Sequence, residues 1–275
     1  MKPAAFDYVR AETRDEVLDV LHREGPSARV LAGGQSLLPM LNMRLARPSV
    51  LVDIMGVAEW NRVVDEGASL RIGAAVRQAA LERRADLVRR QPLLAAALRW
   101  VGHMQTRSRG TICGSVAHAD PSAEVPLVLV ALGGEIRLRS RRRTRRIAAA
   151  EFFTGMMTTA CGDDEVIEAV SVPTARAGVG YAFREVARRH GDFAIVGCAA
   201  VADRSGVRLA VGGVADRPVA RDLQTADSTD LDQALDRFAW DLDARDDLHA
   251  TARYRRELVR RLGRTTIDEA MTCLG

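Results

Sequence analysis

The chain has 275 residues, with 40 Lys and Arg against 36 Asp and Glu, so its formal net charge is +4. A body of this size buries roughly 75% of the surface of its unfolded chain, so the fold needs no disulfide or metal ion. A content of 47% hydrophobic and 28% charged residues is typical of globular proteins and argues against disorder. The chain has no apolar stretch of roughly 20 residues and no signal-peptide core, which predicts a soluble cytoplasmic protein without a transmembrane segment.

Arginine usage and cysteine spacing limit the possible partners and metal sites. Lys2 is the only lysine, so the basic excess comes from arginine and gives little support for nucleic-acid binding. The cysteines are far apart and form no C-x-x-C pair, which argues against an iron–sulfur cluster or zinc site on this chain. They are Cys113, Cys161, Cys198 and Cys273, and the last three are expected to be buried.

A capping box predicts where the first helix begins. Thr13 supplies a side-chain oxygen at the N-cap, Glu16 supplies a carboxylate three residues later, and Gly25-Pro26 ends the helix. The segments that follow predict a small helix–strand–helix–strand unit. Its elements are a helix at 13–24, a strand at 28–32, a helix at 36–45 and a strand at 49–54.

The middle of the chain mixes helices and strands. We predict helices at 76–84, at 92–104 and in a segment ending at 132, and strands at 70–73, 135–140, 145–149 and 165–172. Residues 110–115 are predicted to form a glycine-bearing loop. Seven arginines between 137 and 146 favour an exposed edge hairpin over a nucleic-acid patch, with contact to an acidic partner subunit as the second interpretation.

The last part of the chain changes character. Strand-like segments occupy 181–188, 194–203 and 207–214, a turn at 203–206 joins the last two, and the sequence after Pro218 is polar and helical. Boundaries near 55 and 177 predict three units, which are 1–55, 56–176 and 177–275.

Two glycine-bearing segments could bind phosphate. Segment 31–36, Leu-Ala-Gly-Gly-Gln-Ser, lies between a buried strand and a helix, where missing Cβ atoms let an anion approach backbone N–H groups. Segment 111–115, Thr-Ile-Cys-Gly-Ser, is chemically similar, and the two could grip the halves of a pyrophosphate. The plainer interpretation is two unrelated turns without a ligand.

Three polar residues follow the second segment. His118 has no identifiable catalytic partner, so a structural role is favoured. Asp120 or Glu124 could accept hydrogen bonds from ribose hydroxyls, and Asp120 could equally begin a turn before Pro121. Farther on, Phe193 could lie near the flat face of a ring system or be an ordinary core aromatic.

Together these motifs resemble those of a known family. Segment 32–36, followed by Leu-Leu-Pro-Met-Leu-Asn-Met-Arg, is similar to the first flavin loop of the FAD-binding medium subunits of molybdenum hydroxylases. That family is the carbon monoxide dehydrogenase medium-chain type, related to the FAD domain of xanthine dehydrogenase. Segment 111–121 resembles its second loop, T-[IV]-G-G-[NS], and 188–194 resembles its third signature. The order and spacing fit across essentially the whole chain.

The resemblance implies a fold, a cofactor and a set of contacts. The fold would be α+β, of the vanillyl-alcohol-oxidase (PCMH) type, with two α/β FAD-binding subdomains and a C-terminal α/β subdomain. FAD would be bound non-covalently, with no side chain acting as acid or base and no metal on this chain. Glu124 would meet the ribose, Arg184 would lie near the flavin side and Phe193 would sit close to the isoalloxazine. The full set of implied cofactor-binding residues is Val30, Leu31, Ala32, Gly33, Gly34, Gln35, Ser36, Leu37, Val101, Thr111, Ile112, Cys113, Gly114, Ser115, Asp120, Glu124, Ile167, Arg184, Asp192 and Phe193.

The resemblance also implies a role within a complex. A large subunit would hold the molybdenum cofactor and a small subunit two [2Fe–2S] clusters, and electrons would pass through FAD to an external acceptor. The alternatives are a free-standing FAD oxidase or dehydrogenase of the same fold, or a related protein that has lost FAD. The last arises because Cys113 replaces the usual glycine of the second loop. If that position needs φ > 0, cysteine would alter the loop.

Overall fold

The N-terminal unit is a small parallel sheet with helices on the connections. The computed structural model describes residues 2–224 and 228–274. Strands in the order β1-β3-β2 are all parallel, which requires the helical crossovers that join them. The elements are β1 (Asp7–Arg10), α1 (Arg14–Glu24), β2 (Ala28–Leu31), α2 (Leu37–Asn42) and β3 (Val50–Asp53).

The start of α1 has the predicted N-cap at Thr13, but the Glu16 carboxylate reaches back to Glu12 and not to the N-cap residue. The Thr13 hydroxyl accepts a hydrogen bond from the Glu16 N–H, and the Glu16 carboxylate accepts one from the Glu12 N–H. The sequence prediction missed β1, because this edge strand has one partly buried apolar residue, Val9, and no apolar alternation.

The middle unit is built on a five-stranded antiparallel sheet in the order β4-β5-β10-β6-β7. Its strands are β4 (Val63–Asp65), β5 (Ser69–Gly73), β6 (Glu135–Arg139), β7 (Thr144–Ala148) and β10 (Val166–Pro173), and β8 (Phe153–Gly155) and β9 (Thr158–Thr159) form a separate pair. The helices are α3 (Gln78–Glu82), α4 (Leu87–Arg90), α5 (Pro92–Leu98), α6 (Met104–Arg109), α7 (Ile112–His118), α8 (Glu124–Leu132) and α9 (Ala149–Phe152).

Two sequence predictions for the middle unit were wrong. The helix predicted over 92–104 ends at Leu98, and the next helix, α6, begins only at Met104, because Gly102 between them adopts φ = +47°. The glycine-bearing loop predicted at 110–115 is the start of α7, since Thr111 caps a helix that begins at Ile112.

The arginine-rich hairpin is an edge of the middle sheet, as predicted. β7 is the last strand in the order, and the arginines are divided over both faces. Arg137 and Arg139 contact Glu168, while Arg143 and Arg145 contact Glu165. Charged side chains on an edge strand discourage the addition of a further strand.

The C-terminal unit is an antiparallel meander covered on both faces. Its elements are β11 (Gly180–Val186), β12 (Val196–Asp203), β13 (Gly206–Gly212), β14 (Val219–Leu223), α10 (Ser228–Asp241) and α11 (Ala252–Thr272). One face packs against α8 of the middle unit and the other against α10 and α11. The predicted 203–206 turn joins β12 to β13. β14 was missed within the polar sequence after Pro218, and residues 225–227 of that stretch lie outside the described residues.

The cysteines do not share one environment. Cys198 is buried, as predicted. Cys161 is only partly buried and Cys273 is exposed, so the prediction of burial was wrong for both. Cys273 directly follows the last turn of α11.

In residues 2–224 and 228–274, no helix combines the length and apolar character needed to cross a bilayer. The cytoplasmic location stays a prediction.

Phe238 tests the packing of α10 on the C-terminal sheet. Its side chain is fully buried, so Phe238→Ala removes apolar contacts and leaves a cavity, lowering the free energy of unfolding by about 3–5 kcal/mol. Trp240→Ala on the same helix is the control, because Trp240 is exposed and its contact with Arg256 is worth about 1 kcal/mol or less. Urea unfolding of both variants measures the difference. Equal losses would contradict this packing.

Candidate functional site

A large cavity lies where the three units meet. Its volume is about 1120 Å³, and every unit contributes to its lining. Both glycine-bearing segments, the start of α8, the 157–167 segment and the 188–195 segment line it. Within the described residues, no group of three His, Cys, Asp or Glu side chains is arranged to hold a metal ion. The cavity is large enough for a cofactor with several rings and a phosphate linker.

The first segment is shaped by two glycines. A Cβ atom on Gly33 would overlap the carbonyl oxygen of Arg109, so only glycine allows this approach. Gly34 adopts φ = +72°, in the left-handed region. Within the described chain, the backbone N–H groups of residues 33–36 have no acceptor. A row of unpaired N–H donors beside a cavity is the arrangement expected for an anion.

Gly33 also joins the two segments. Its neighbour Arg109 is two residues before Thr111, where the second segment begins. The second segment is fixed in turn by segment 76–78, because the Gln78 N–H donates to Gly110 O and the Ile112 N–H donates to Val76 O. The two segments, far apart in sequence, therefore line one cavity.

Cys113 is compatible with the geometry of the second segment. It lies in the first turn of α7, after Thr111, whose hydroxyl accepts a hydrogen bond from the Gly114 N–H at 2.9 Å. The position is helical, so it does not need φ > 0 and the expected conflict with cysteine does not arise. The thiol is buried against Ile72 O, and burial raises its pKa to about 12, which keeps it protonated and unreactive.

Two carboxyl groups line the cavity between the end of α7 and the first turn of α8. Asp120 forms the predicted turn, since its Oδ1 accepts a hydrogen bond from the Ser122 N–H at 2.8 Å. Glu124 is buried at the start of α8. Burial, with a smaller contribution from Asp120, raises the pKa of Glu124 to about 7. His118 also lines the cavity, from the last turn of α7.

The 188–193 segment of the C-terminal unit forms part of the cavity wall. His190 stacks on Trp100 with ring centroids 5.1 Å apart, and Gly191 adopts φ = +87° where a Cβ would lie 2.7 Å from His103. Phe193 is 70% exposed and lines the cavity. It is therefore not the core aromatic that sequence reasoning kept as an alternative. An exposed aromatic ring is available to a planar ligand.

Arg255 is a cavity residue that sequence reasoning missed. It is buried in the first turn of α11, where its guanidinium donates to Ile195 O, to Gly213 O and to the carboxylate of Asp247. It thus ties α11 to the end of the 188–195 segment. One arginine among the many in α11 gives no signal of burial, although its i+4 and i+8 positions, Val259 and Gly263, are also buried.

Most of the predicted cofactor-binding residues line the cavity. They are Val30, Ala32, Gly33, Gly34, Gln35, Ser36, Leu37, Val101, Thr111, Cys113, Gly114, Ser115, Asp120, Glu124, Ile167, Asp192 and Phe193.

Three of the predicted residues do not line it. Leu31 is absent from the lining although its neighbours Val30 and Ala32 belong to it, and its side chain lies beside Gly34. Ile112 packs into the core beneath α7. Arg184 lies on the face of β11 that packs on α11, where it pairs with Glu269 at 2.7 Å. The expectation that Arg184 lies near the flavin side is corrected accordingly.

Comparison with protein families divides the chain into two matched regions. Residues 4–175 match the FAD binding domain in molybdopterin dehydrogenase, and residues 181–270 match the CO dehydrogenase flavoprotein C-terminal domain.

Individual proteins are similar over nearly the whole chain. Subunit alpha of the 6-hydroxypseudooxynicotine dehydrogenase complex of Paenarthrobacter nicotinovorans is 37% identical over 98% of this chain and 96% of that protein. The nicotine 6-hydroxylase medium subunit of the same organism is 38% identical over 98% and 99%. A carbon monoxide dehydrogenase structure from Hydrogenophaga pseudoflava superposes with a TM-score of 0.93 at 30% identity, over 99% of both chains.

Arg255 is predicted to be essential for the stability of the cavity wall. Arg255→Leu leaves two carbonyls and Asp247 without their donor, so the free energy of unfolding should fall by about 3 kcal/mol. Arg253→Leu, an exposed position in the same turn, should change it by no more than about 0.5 kcal/mol. Urea unfolding compares the two variants, and similar effects at both positions would contradict the role given to Arg255.

Proposed function

Because the chain belongs to the family of FAD-binding medium subunits of molybdenum hydroxylase-type dehydrogenases, we propose that its cavity holds FAD with the pyrophosphate between segments 32–36 and 111–115. The observation that carries this proposal is the approach of Gly33 to Arg109, which brings both segments to one cavity. The unpaired N–H groups of 33–36 supply donors for phosphate oxygens. The resemblance recognised in the sequence, including its α+β fold, is confirmed by the family matches and by the superposition.

The remaining cavity residues fit the other parts of the cofactor. We assign Glu124 to the ribose hydroxyls, since it is a buried carboxyl at the cavity wall. Val101 and Ile167 are buried apolar residues that would pack against the rings. Phe193 would lie beside the isoalloxazine. Cys113 does not disable the site, because its helical backbone and buried thiol leave the second segment intact.

The function proposed for the whole assembly is electron transfer. When bound, FAD supplies a redox centre that can exchange electrons with one-electron and two-electron partners. We propose that electrons reach it from the [2Fe–2S] clusters of a small subunit, after substrate hydroxylation at a molybdenum cofactor on a large subunit, and leave for an external acceptor. This chain's residues bind and orient the flavin and need not transfer protons.

An apolar surface beside the first segment supports contact with a partner. Leu38, Met43 and Leu45 are all exposed on α2 and the turn after it, and Leu45 is 71% exposed. Large exposed apolar residues close together in sequence are typical of a protein–protein contact.

Glycine 33 provides a direct test of the cofactor site. Gly33→Ala forces the first segment away from Arg109, and we expect the Kd for FAD to rise at least about tenfold, or about 1.4 kcal/mol. Gly155→Ala is the matched control: Gly155, like Gly33, does not have a positive φ, a Cβ atom there would make only ordinary contacts from 3.5 Å, and it lies in β8 outside the cavity lining. Flavin-fluorescence titration measures both. Equal FAD affinities for Gly33→Ala and wild type would contradict the assigned site.

Purification of the tagged chain from its native host tests the proposed role. We expect about one acid-released FAD per chain, together with co-purified subunits that contain molybdenum and iron. A yellow protein that turns over substrate without partners would favour the free-standing flavoenzyme instead. A colourless chain that binds no added FAD would contradict the proposal.

A further inference from the structure

A second buried carboxyl group, Glu185, lies behind the cavity wall. Glu185 is on β11, next to Gly197 of β12 in the antiparallel ladder. A Cβ atom on Gly197 would lie 2.9 Å from Cδ2 of Leu127 and 4.0 Å from Cβ of Glu185. Leu127 is one helical turn after Glu124 on α8. The absence of a side chain at Gly197 therefore lets the first turn of α8 pack close to Glu185.

Glu185 has no partner for its charge. Its side chain is only 7% exposed, and neither carboxyl oxygen has a hydrogen-bond partner among the described residues. Burial of an ionised carboxylate without a donor is costly, so the group is held in its neutral form. Burial, followed by repulsion from Glu124, raises the pKa of Glu185 to about 8. We refer to Glu124 and Glu185 as the carboxyl pair.

The surroundings of the carboxyl pair contain few positive charges that could stabilise a carboxylate. Apart from Glu124 itself, α8 (Glu-Val-Pro-Leu-Val-Leu-Val-Ala-Leu) has no charged side chain, and α5, which packs on β11, has none. Asp120 adds repulsion at Glu124 and Arg107 partly offsets it. Arg255 is bonded to Asp247 and two carbonyls, and His118 lines the cavity on the α7 side.

We propose that Glu185 is a positioning residue that holds the proton of the carboxyl pair, so that Glu124 can accept hydrogen bonds from the cofactor as a carboxylate. This inference rests on the proposed FAD site. With one proton in the pair, Glu124 is charged and Glu185 is neutral. Loss of that proton places two negative charges together at the wall of a cavity that must also hold a pyrophosphate. FAD binding therefore becomes dependent on the protonation of Glu185.

The first test is the pH dependence of FAD affinity. Between about pH 7 and about pH 9.5, the Kd of the wild-type chain for FAD should rise by about tenfold. A rise of this size corresponds to a Glu185 pKa that is about one unit higher in the FAD-bound chain than in the free chain. Glu185→Gln cannot ionise and should lose this alkaline rise. Glu151→Gln, an exposed position on α9, is the matched control and should retain it. The titration uses quenching of FAD fluorescence by the FAD-free chain.

A second measurement does not require FAD. Since the folded-state pKa of Glu185 is raised from 4.5 to about 8, the folded chain holds this proton more tightly than the unfolded chain in that range. Wild-type stability therefore falls as the pH rises from 4.5 to about 8, relative to a variant that cannot ionise. In thermal unfolding, the wild type should lose more stability over this pH range than Glu185→Gln or Glu185→Leu, which keep only the fall due to the raised pKa of Glu124. The leucine variant keeps the test valid if a buried amide folds poorly.

The outcomes separate this inference from the proposed function. If the wild-type chain binds no FAD at any pH, the proposed function fails and the inference falls with it. If FAD binds but Glu185→Gln keeps the alkaline rise, or if all three melting curves are parallel in pH, only the role of Glu185 is overturned.

Discussion

The approach of Gly33 to the backbone at Arg109 is the constraint on which the site depends. It allows a turn of the N-terminal unit to touch the middle unit just before α7 begins. Any side chain at this position would force the two units apart, because the neighbouring atoms belong to the backbone and cannot rotate away. The unpaired N–H groups of 33–36 and the capped turn at Thr111 are brought together by this single contact.

The C-terminal unit forms its side of the cavity through close packing of its sheet and helices. Its sheet is buried on both faces, and small residues along β12, such as Ala199 and Ala200, let helices pack on either side. Gly180 serves the same purpose at the start of β11, where a Cβ atom would overlap the carbonyl oxygen of Ala270 in α11. Arg255 then joins the end of the 188–195 segment to the turn after β13, because its guanidinium donates to Ile195 O and to Gly213 O. The position of Phe193 thus depends on packing at some distance from it.

The glutamates at the cavity show how the local environment decides the behaviour of one residue type. Glu165 lines the cavity and accepts two hydrogen bonds from Arg145, which hold the pKa of its carboxyl below its usual range. Glu124 and Glu185 are equally buried, but burial without a strong donor raises the pKa of each. Glu165 is therefore a permanently charged structural residue, whereas the carboxyl pair of Glu124 and Glu185 can change its charge near neutral pH.

The sequence by itself determined the motifs, most helices and strands, and the family. Glycines between a buried strand and a helix, the Thr13 N-cap and the edge hairpin at 135–148 are local signals that depend on neighbouring residues alone. The helical start at Thr111 was misread as a loop, because the pattern of small residues is the same in both and the pairing with 76–78 is not local. β1 and β14 were missed because strands at sheet edges need little apolar alternation.

Only the tertiary structure decided which residues face the cavity and which charges are buried there. Arg184 and Arg255 are both arginines in the last unit, yet one pairs with Glu269 on the outer face of β11 while the other reaches the cavity wall. Glu185 gives no signal in the sequence, because a glutamate in a strand is normally exposed. Its burial follows from the packing of α8 against β12 at Gly197, a contact between residues about 70 positions apart along the chain.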